Sequence, residues 1–142
     1  MGDIKELSTE QASAGVEAVL EEARKRGISL AVAVVDAGGN LLYFGRRHQE
    51  PAAAHCSHFI NMAMNKAYTA SILRMNTRVL QEFNTKFNHT LLPLNNPRFN
   101  DITGGIYIKA SDGTALGGIG VSGLSEEGDE EMALIGLKAM SL

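Results

Sequence analysis

The stretch PAAAHCSHFINMAMNKAYTASIL, residues 51–73, decides how the rest of the chain must be arranged. Pro51 suits a first helical turn, where its missing N–H would be unpaired anyway. No glycine or further proline interrupts the run to Leu73, so the spacing predicts one helix across it. At 3.6 residues per turn, His55, Phe59, Met62, Lys66, Thr69 and Leu73 fall on one stripe. Cys56, Ile60, Ala63, Ala67 and Ala70 widen it into an apolar face that should pack on a sheet. Lys66 then lies at the edge of the buried face or inside it. A buried ammonium is costly without a partner. Lys66 must therefore either extend its head to water or meet an anion.

Working outward, the preceding chain predicts a helix and a hairpin. Ser8 and Gln11 form a capping box, Ala12, Val16, Val19, Leu20 and Ala23 follow at helical spacing, and Gly27 is the expected stop. Ile28 to Val35 is almost continuously apolar and reads as a strand covered on both faces. Asp36-Ala37-Gly38-Gly39-Asn40 is a tight turn, and Leu41 to Arg46 returns as the second strand. Arg46, Arg47 and His48 lead into the central helix.

Beyond Leu73 the helical pattern breaks at Arg74-Met75-Asn76, and Thr77 is the expected cap of a shorter helix carrying Val79, Leu80, Phe83 and Phe87. Asn84 to Asn100 reads as a long polar loop, expected to be a lid, an interface or partly disordered. Gly104 to Ala110 and Ala115 to Val121 predict a second hairpin around Ser111-Asp112-Gly113-Thr114. Gly117, Gly118 and Gly120 inside the latter strand point to a bulge, or to close approach by a ligand or another backbone. Ser125 should cap a last helix whose first turn is acidic, with Met132, Ile135, Ala139 and Leu142 on its apolar face. The order helix, hairpin, helices, hairpin, helix gives an α+β fold with an antiparallel sheet, one domain over residues 1–142.

Composition narrows the function classes. The 142 residues are 44% hydrophobic and 20% charged, with a net charge of −3 and no tryptophan. That balance offers no electrostatic footprint for nucleic acid. No apolar run has the length of a membrane span, and Met1 to Glu6 has the layout of neither a signal peptide nor a myristoylation site. A single cysteine, Cys56, excludes an internal disulfide and fits a reducing compartment. The expectation is a cytoplasmic protein.

Four histidines raise the question of a metal. His55 and His58 are three apart on the helix, but no third and fourth ligand is apparent, so no protein-built metal site is expected. His55 could still serve as an axial ligand to a haem iron. Ser122 lacks the second glycine of a nucleophile elbow, because Leu124 stands there. Gly117-Gly118-Ile119-Gly120 opens no helix at the spacing of a dinucleotide fingerprint.

Several stretches together resemble one family. Residues 31–41, AVAVVDAGGNL, closely resemble the first hairpin of the GlcG/HbpS family, which includes the C-terminal domain of PduO-type proteins. Lys66-Ala67-Tyr68-Thr69-Ala70 matches its central-helix signature. Gly104-Gly105, then Gly118-Ile119-Gly120-Val121-Ser122-Gly123 with Asp129-Glu130, matches its second half. Asn65 stands where family members commonly have aspartate, and residues 55–59 and 84–100 look unlike the usual sequence.

The resemblance implies a profilin-like α/β/α sandwich on a five-stranded antiparallel sheet, usually in homo-oligomers. It also implies haem binding, with haem degradation in some members, and a role accessory to small-molecule catabolism. On the matching positions, Lys66 and Thr69 would line the ligand pocket, with Asp36, Gly104 and Gly105 near it. A haem would set its propionates on Lys66 or on Arg46 and Arg47. Its ring would lie against Phe59, Met62 and the glycine-rich strand. An alternative is an enzyme on a small carboxylated or aromatic metabolite, with Lys66 as electrophile or anion clamp and His55 or Tyr68 as proton carrier. A third is a structural subunit in which Lys66 pairs with Asp36 or Glu82.

Overall fold

The computed structural model describes residues 4–50 and 57–142. The chain runs α1 (Thr9–Arg26), β1 (Leu30–Asp36), β2 (Leu41–Arg47), α2 (Ser57–Leu73), α3 (Thr77–Phe87), β3 (Gly105–Lys109), β4 (Ala115–Ser122) and α4 (Glu126–Ala139), with one 3-10 turn at Leu92–Leu94. The expected start of the central helix, from Pro51 through Cys56, lies outside the described residues.

Every strand pairs antiparallel, in the order β2-β1-β4-β3. Among the described residues the sheet has four strands rather than the expected five. The outer edge of β3 is already used. The N–H of Gly105 donates to Thr77 Oγ1 at 2.9 Å, and that of Tyr107 to Asn76 Oδ1 at 2.8 Å. Side chains from the start of α3 thus take donors that a fifth strand would need. The same bonds correct the expected cap: Asn76, not Thr77, is the N-cap, and it makes no side-chain cap bond. Arg74 sits at φ 55°, the left-handed break that the sequence pattern anticipated between α2 and α3.

The two faces of the sheet differ in size. Leu30, Val32, Val34, Ile119 and Val121 meet Val16 and Val19 of α1 and Met132 of α4 in the main core. On the other face Ala31, Ala33 and Val35 pack against Ala63 and Ala67 of α2. Strand β4 alternates accordingly, with Ile119 and Val121 toward α1 and α4 and Gly118 and Gly120 toward α2. A Cβ on Gly120 would collide with the carbonyl of Ala63 and lie 2.5 Å from the Ala67 nitrogen, and one on Gly105 would lie 2.5 Å from the Lys66 carbonyl. The glycines in the strand therefore admit another backbone, that of α2. This corrects the expectation that a ligand ring would lie on the glycine-rich strand, since helix covers that surface.

Candidate functional site

Lys66 is wholly buried. Its position on α2 follows from the alanine face, which brings the helix so near β4 that the side chain must run beneath the strand end. Its Nζ donates to Val121 O and to Asp129 Oδ2, each at 3.0 Å. Asp129 Oδ1 accepts the Leu124 N–H at 2.9 Å, so both carboxylate oxygens are engaged. Gly104, at φ 135°, leaves the space: a Cβ there would stand 2.9 Å from the ammonium. Burial raises the Asp129 carboxyl above its ordinary range, and the Lys66 charge pulls it back down. The anion that Lys66 meets is thus Asp129, rather than the expected Asp36 or Glu82. Glu82 is largely exposed at Arg78. The Asp36 carboxylate closes its own turn, accepting from the N–H groups of Gly38 and Asn40 at 2.9 Å each.

Thr69 and Tyr68 hold part of the segment expected to be a lid, an interface or a partly disordered loop. Thr69 Oγ1 donates to Asn65 O at 2.7 Å and accepts the Asn100 N–H at 2.8 Å. Tyr68 Oη accepts from Asn96 Nδ2 at 3.0 Å, and the Arg98 guanidinium lies 3.7 Å from the Tyr68 ring centre, within cation–π range. Phe99 packs on the same ring. Residues 96–100 are therefore fastened to α2. Thr69→Val is expected to lose about 1–2 kcal/mol, because the Asn100 N–H loses its acceptor. Urea unfolding would measure the loss, with faster proteolytic cutting between residues 88 and 100.

A different set meets at the open end of β2. Ser29, Leu30, Arg46, Arg47, His48 and Phe59 meet around a crevice too narrow to admit a water molecule. Arg46, Arg47 and His48 also border a groove of about 520 Å³ against Glu17, Leu20, Glu21 and Arg24 of α1. Glu21 holds Arg24 through two bonds of 2.9 and 2.7 Å. Arg47 gives one bond to Gln49, at 2.7 Å. Its Nε is buried with no hydrogen-bond partner among the described residues, a costly state for a charged donor. Met62 and Phe59 are half-buried on the nearby turns of α2, and His55 lies outside the described residues. The described residues contain no cluster of three or more metal-ligating side chains.

The family model described as "Haem degrading protein HbpS-like" matches residues 7–138. The chain belongs to this HbpS-like family. Protein GlcG of Escherichia coli is 34% identical over 117 residues, covering 82% of this chain and 81% of GlcG. A double mutant of HbpS from Streptomyces reticuli superposes with a TM-score of 0.79 at 29% identity, over 97% of this chain and 89% of that one. A PduOC:heme complex does so at 0.77 and 27% identity, over 94% of each chain. Klebsiella pneumoniae protein ORFY, at 0.82 but 24% identity, shares the fold, over 99% of this chain and 94% of its own.

Within the family frame, two features escaped sequence reading. Asp129 reads in sequence as an acidic residue at a helix start and as part of the pattern resembling the family's second half, but not as the partner of Lys66; a buried lysine needing an anion is the signal that could have led to it. The orphaned Arg47 Nε carries no sequence signal.

Proposed function

We propose that this HbpS-like chain binds haem at the open end of β2, beside the start of α2. The observation that carries the reading is the buried, unpartnered Nε–H of Arg47. It stands with Arg46 and His48 beside Phe59, at the edge of the groove of about 520 Å³. Two guanidinium groups suit the two carboxylates of a haem, because the planar fork pairs with carboxylate through two bonds at once. His48 and His55 would be the residues to hold the iron, and Phe59 and Met62 would supply apolar neighbours. Bound haem would supply iron redox chemistry, and the chain's part is to hold the propionates and exclude water. Lys66, Thr69, Gly104 and Gly105 serve this site from behind, by fixing α2, whereas Asp36 closes the turn at the other end of the hairpin.

An enzyme built on Lys66, His55 and Tyr68 is the poorer reading. The Lys66 ammonium is committed to Asp129, and the Tyr68 hydroxyl to Asn96. The membership in a haem-associated family favours binding, and a role accessory to small-molecule catabolism is the setting we assign to it. Homo-oligomers are part of the same reading, supported by the half-exposed Val79 and Phe87 and the exposed Leu92.

Titration of the purified protein with haem, followed at the Soret band, tests this. A saturable, shifted band is expected, and Arg47→Gln should weaken binding about tenfold or more, the worth of one charge-assisted hydrogen bond. His55→Ala and His48→Ala should change the band shape if either ligates iron. A featureless titration would sink the proposal.

A further inference from the structure

An apolar cavity lies well away from that crevice, between the end of α2, α3 and the segment that follows α3. It encloses about 580 Å³, inside the range of roughly 300–1,000 Å³ typical of small-molecule pockets. Its walls are two-sided. Leu73, Leu80, Phe83, Leu91, Pro93 and Leu94 supply the apolar side, and Asn84, Asn88, His89 and Thr90 the polar one.

The polar side is built rather than incidental. Asn84 is 7% exposed and is anchored through Nδ2 to Asp101 at 2.9 Å. Asn88 ends α3 in the left-handed conformation, turning the chain so that the His89 N–H returns to the Asn84 carbonyl at 2.8 Å. The rim is braced by rings: Phe83 packs at a tilt on Phe87, 4.9 Å between centres, and meets His89 edge-on at 5.4 Å. No lysine, arginine, aspartate or glutamate lines the cavity. An anion would find no lysine or arginine there, and a cation no carboxylate, so burying either would go largely uncompensated. A neutral ring would bury its faces on the leucines and direct one donor or acceptor at the amides.

We infer that this cavity is a binding site for an uncharged, mainly apolar ring compound carrying a single hydroxyl or carboxamide, separate from the haem site. Excitation to the red of both tyrosine and tryptophan absorption lets a fluorescent naphthalene probe be read in the parent and in a tryptophan variant alike. The full chain is titrated at neutral pH with 2-naphthol and, in parallel, with 2-naphthoate, which has the same rings and a negative charge. Saturable binding of 2-naphthol, at least tenfold tighter than that of 2-naphthoate, is expected. Leu94→Trp, which fills the mouth from a half-exposed position, and Phe83→Ser should each weaken 2-naphthol at least tenfold with the thermal transition retained. Haem binding by Leu94→Trp should equal that of the parent. Equal affinity for the two probes, insensitivity to both variants, or loss of haem binding in Leu94→Trp would each overturn the inference. So would failure of 2-naphthol to bind a parent protein whose assembled mass falls on Phe83→Ser, since a second copy would then occupy the cavity.

Discussion

Replacing Lys66 by methionine is expected to cost about 3–5 kcal/mol of folding stability at neutral pH. The ammonium is wholly buried, and its partner Asp129 is nearly so. Removing the cation alone strands a buried carboxylate, whereas removing both partners strands no charge and leaves only the Val121 carbonyl and the Leu124 N–H to find other partners. Lys66→Met with Asp129→Leu should therefore recover most of the loss, and the recovery measures the coupling of the pair.

The penalty should also depend on pH, with a definite sign. Burial already raises the Asp129 carboxyl above its ordinary value, and Lys66 is the main influence opposing that rise. Without Lys66 the carboxyl moves higher still. A group whose folded pKa is raised binds its proton more tightly folded than unfolded, so its contribution is most favourable at low pH and is lost as pH rises through the folded value. The Lys66→Met penalty should accordingly shrink as pH falls from neutral into the raised titration range of Asp129. Urea midpoints of parent and variant at several pH values would measure this. A penalty that stays below about 1 kcal/mol at neutral pH would mean that the pair is not a buried structural ion pair.

Gly120→Ala is expected to cost about 3 kcal/mol or more, from a single added methyl group. Overpacking commonly costs about 1–3 kcal/mol when side chains can move aside. Here the added carbon meets the carbonyl of Ala63 and the nitrogen of Ala67, which are backbone atoms of α2. Relief requires the whole helix to lift from β4, and that lift would also draw Lys66 from Asp129. Gly38→Ala is the matched contrast, because a Cβ there meets only the end of the Asn40 side chain at 3.1 Å and a carboxylate oxygen at 3.5 Å. It should change stability by less than about 0.5 kcal/mol. Similar urea midpoints for the two variants would contradict the close contact of α2 with the sheet.

Several elements could be read directly from residues. The capping box of Ser8 and Gln11 is present with both bonds formed. Ser125 caps α4 through the Gly128 N–H. The apolar run ending at Val35 is a strand buried on both faces. The alanines of α2 are its buried face. Each of these is a property of one turn or one pleat, where neighbours in sequence are neighbours in space. The number of strands was not legible in this way. Whether β3 takes a partner strand depends on Asn76 and Thr77 reaching Gly105 and Tyr107, and no local pattern announces that.

The sequence by itself determined the order of elements, the antiparallel hairpins, the family, and the fact that Lys66 on an apolar helix face must answer for its charge. Only the tertiary structure decided what answers it. Asp129 lies 63 residues further along the chain and arrives because β4 stands beside β1 in the sheet and its exit turn brings the first turn of α4 to Lys66. The tertiary structure likewise decided that the glycines of β4 admit a helix rather than a ligand, and that Arg47 keeps a donor unspent. Periodicity and caps act over a few bonds of backbone. Ion pairs, backbone clearances and unpaired donors depend on which distant segments the sheet order brings together.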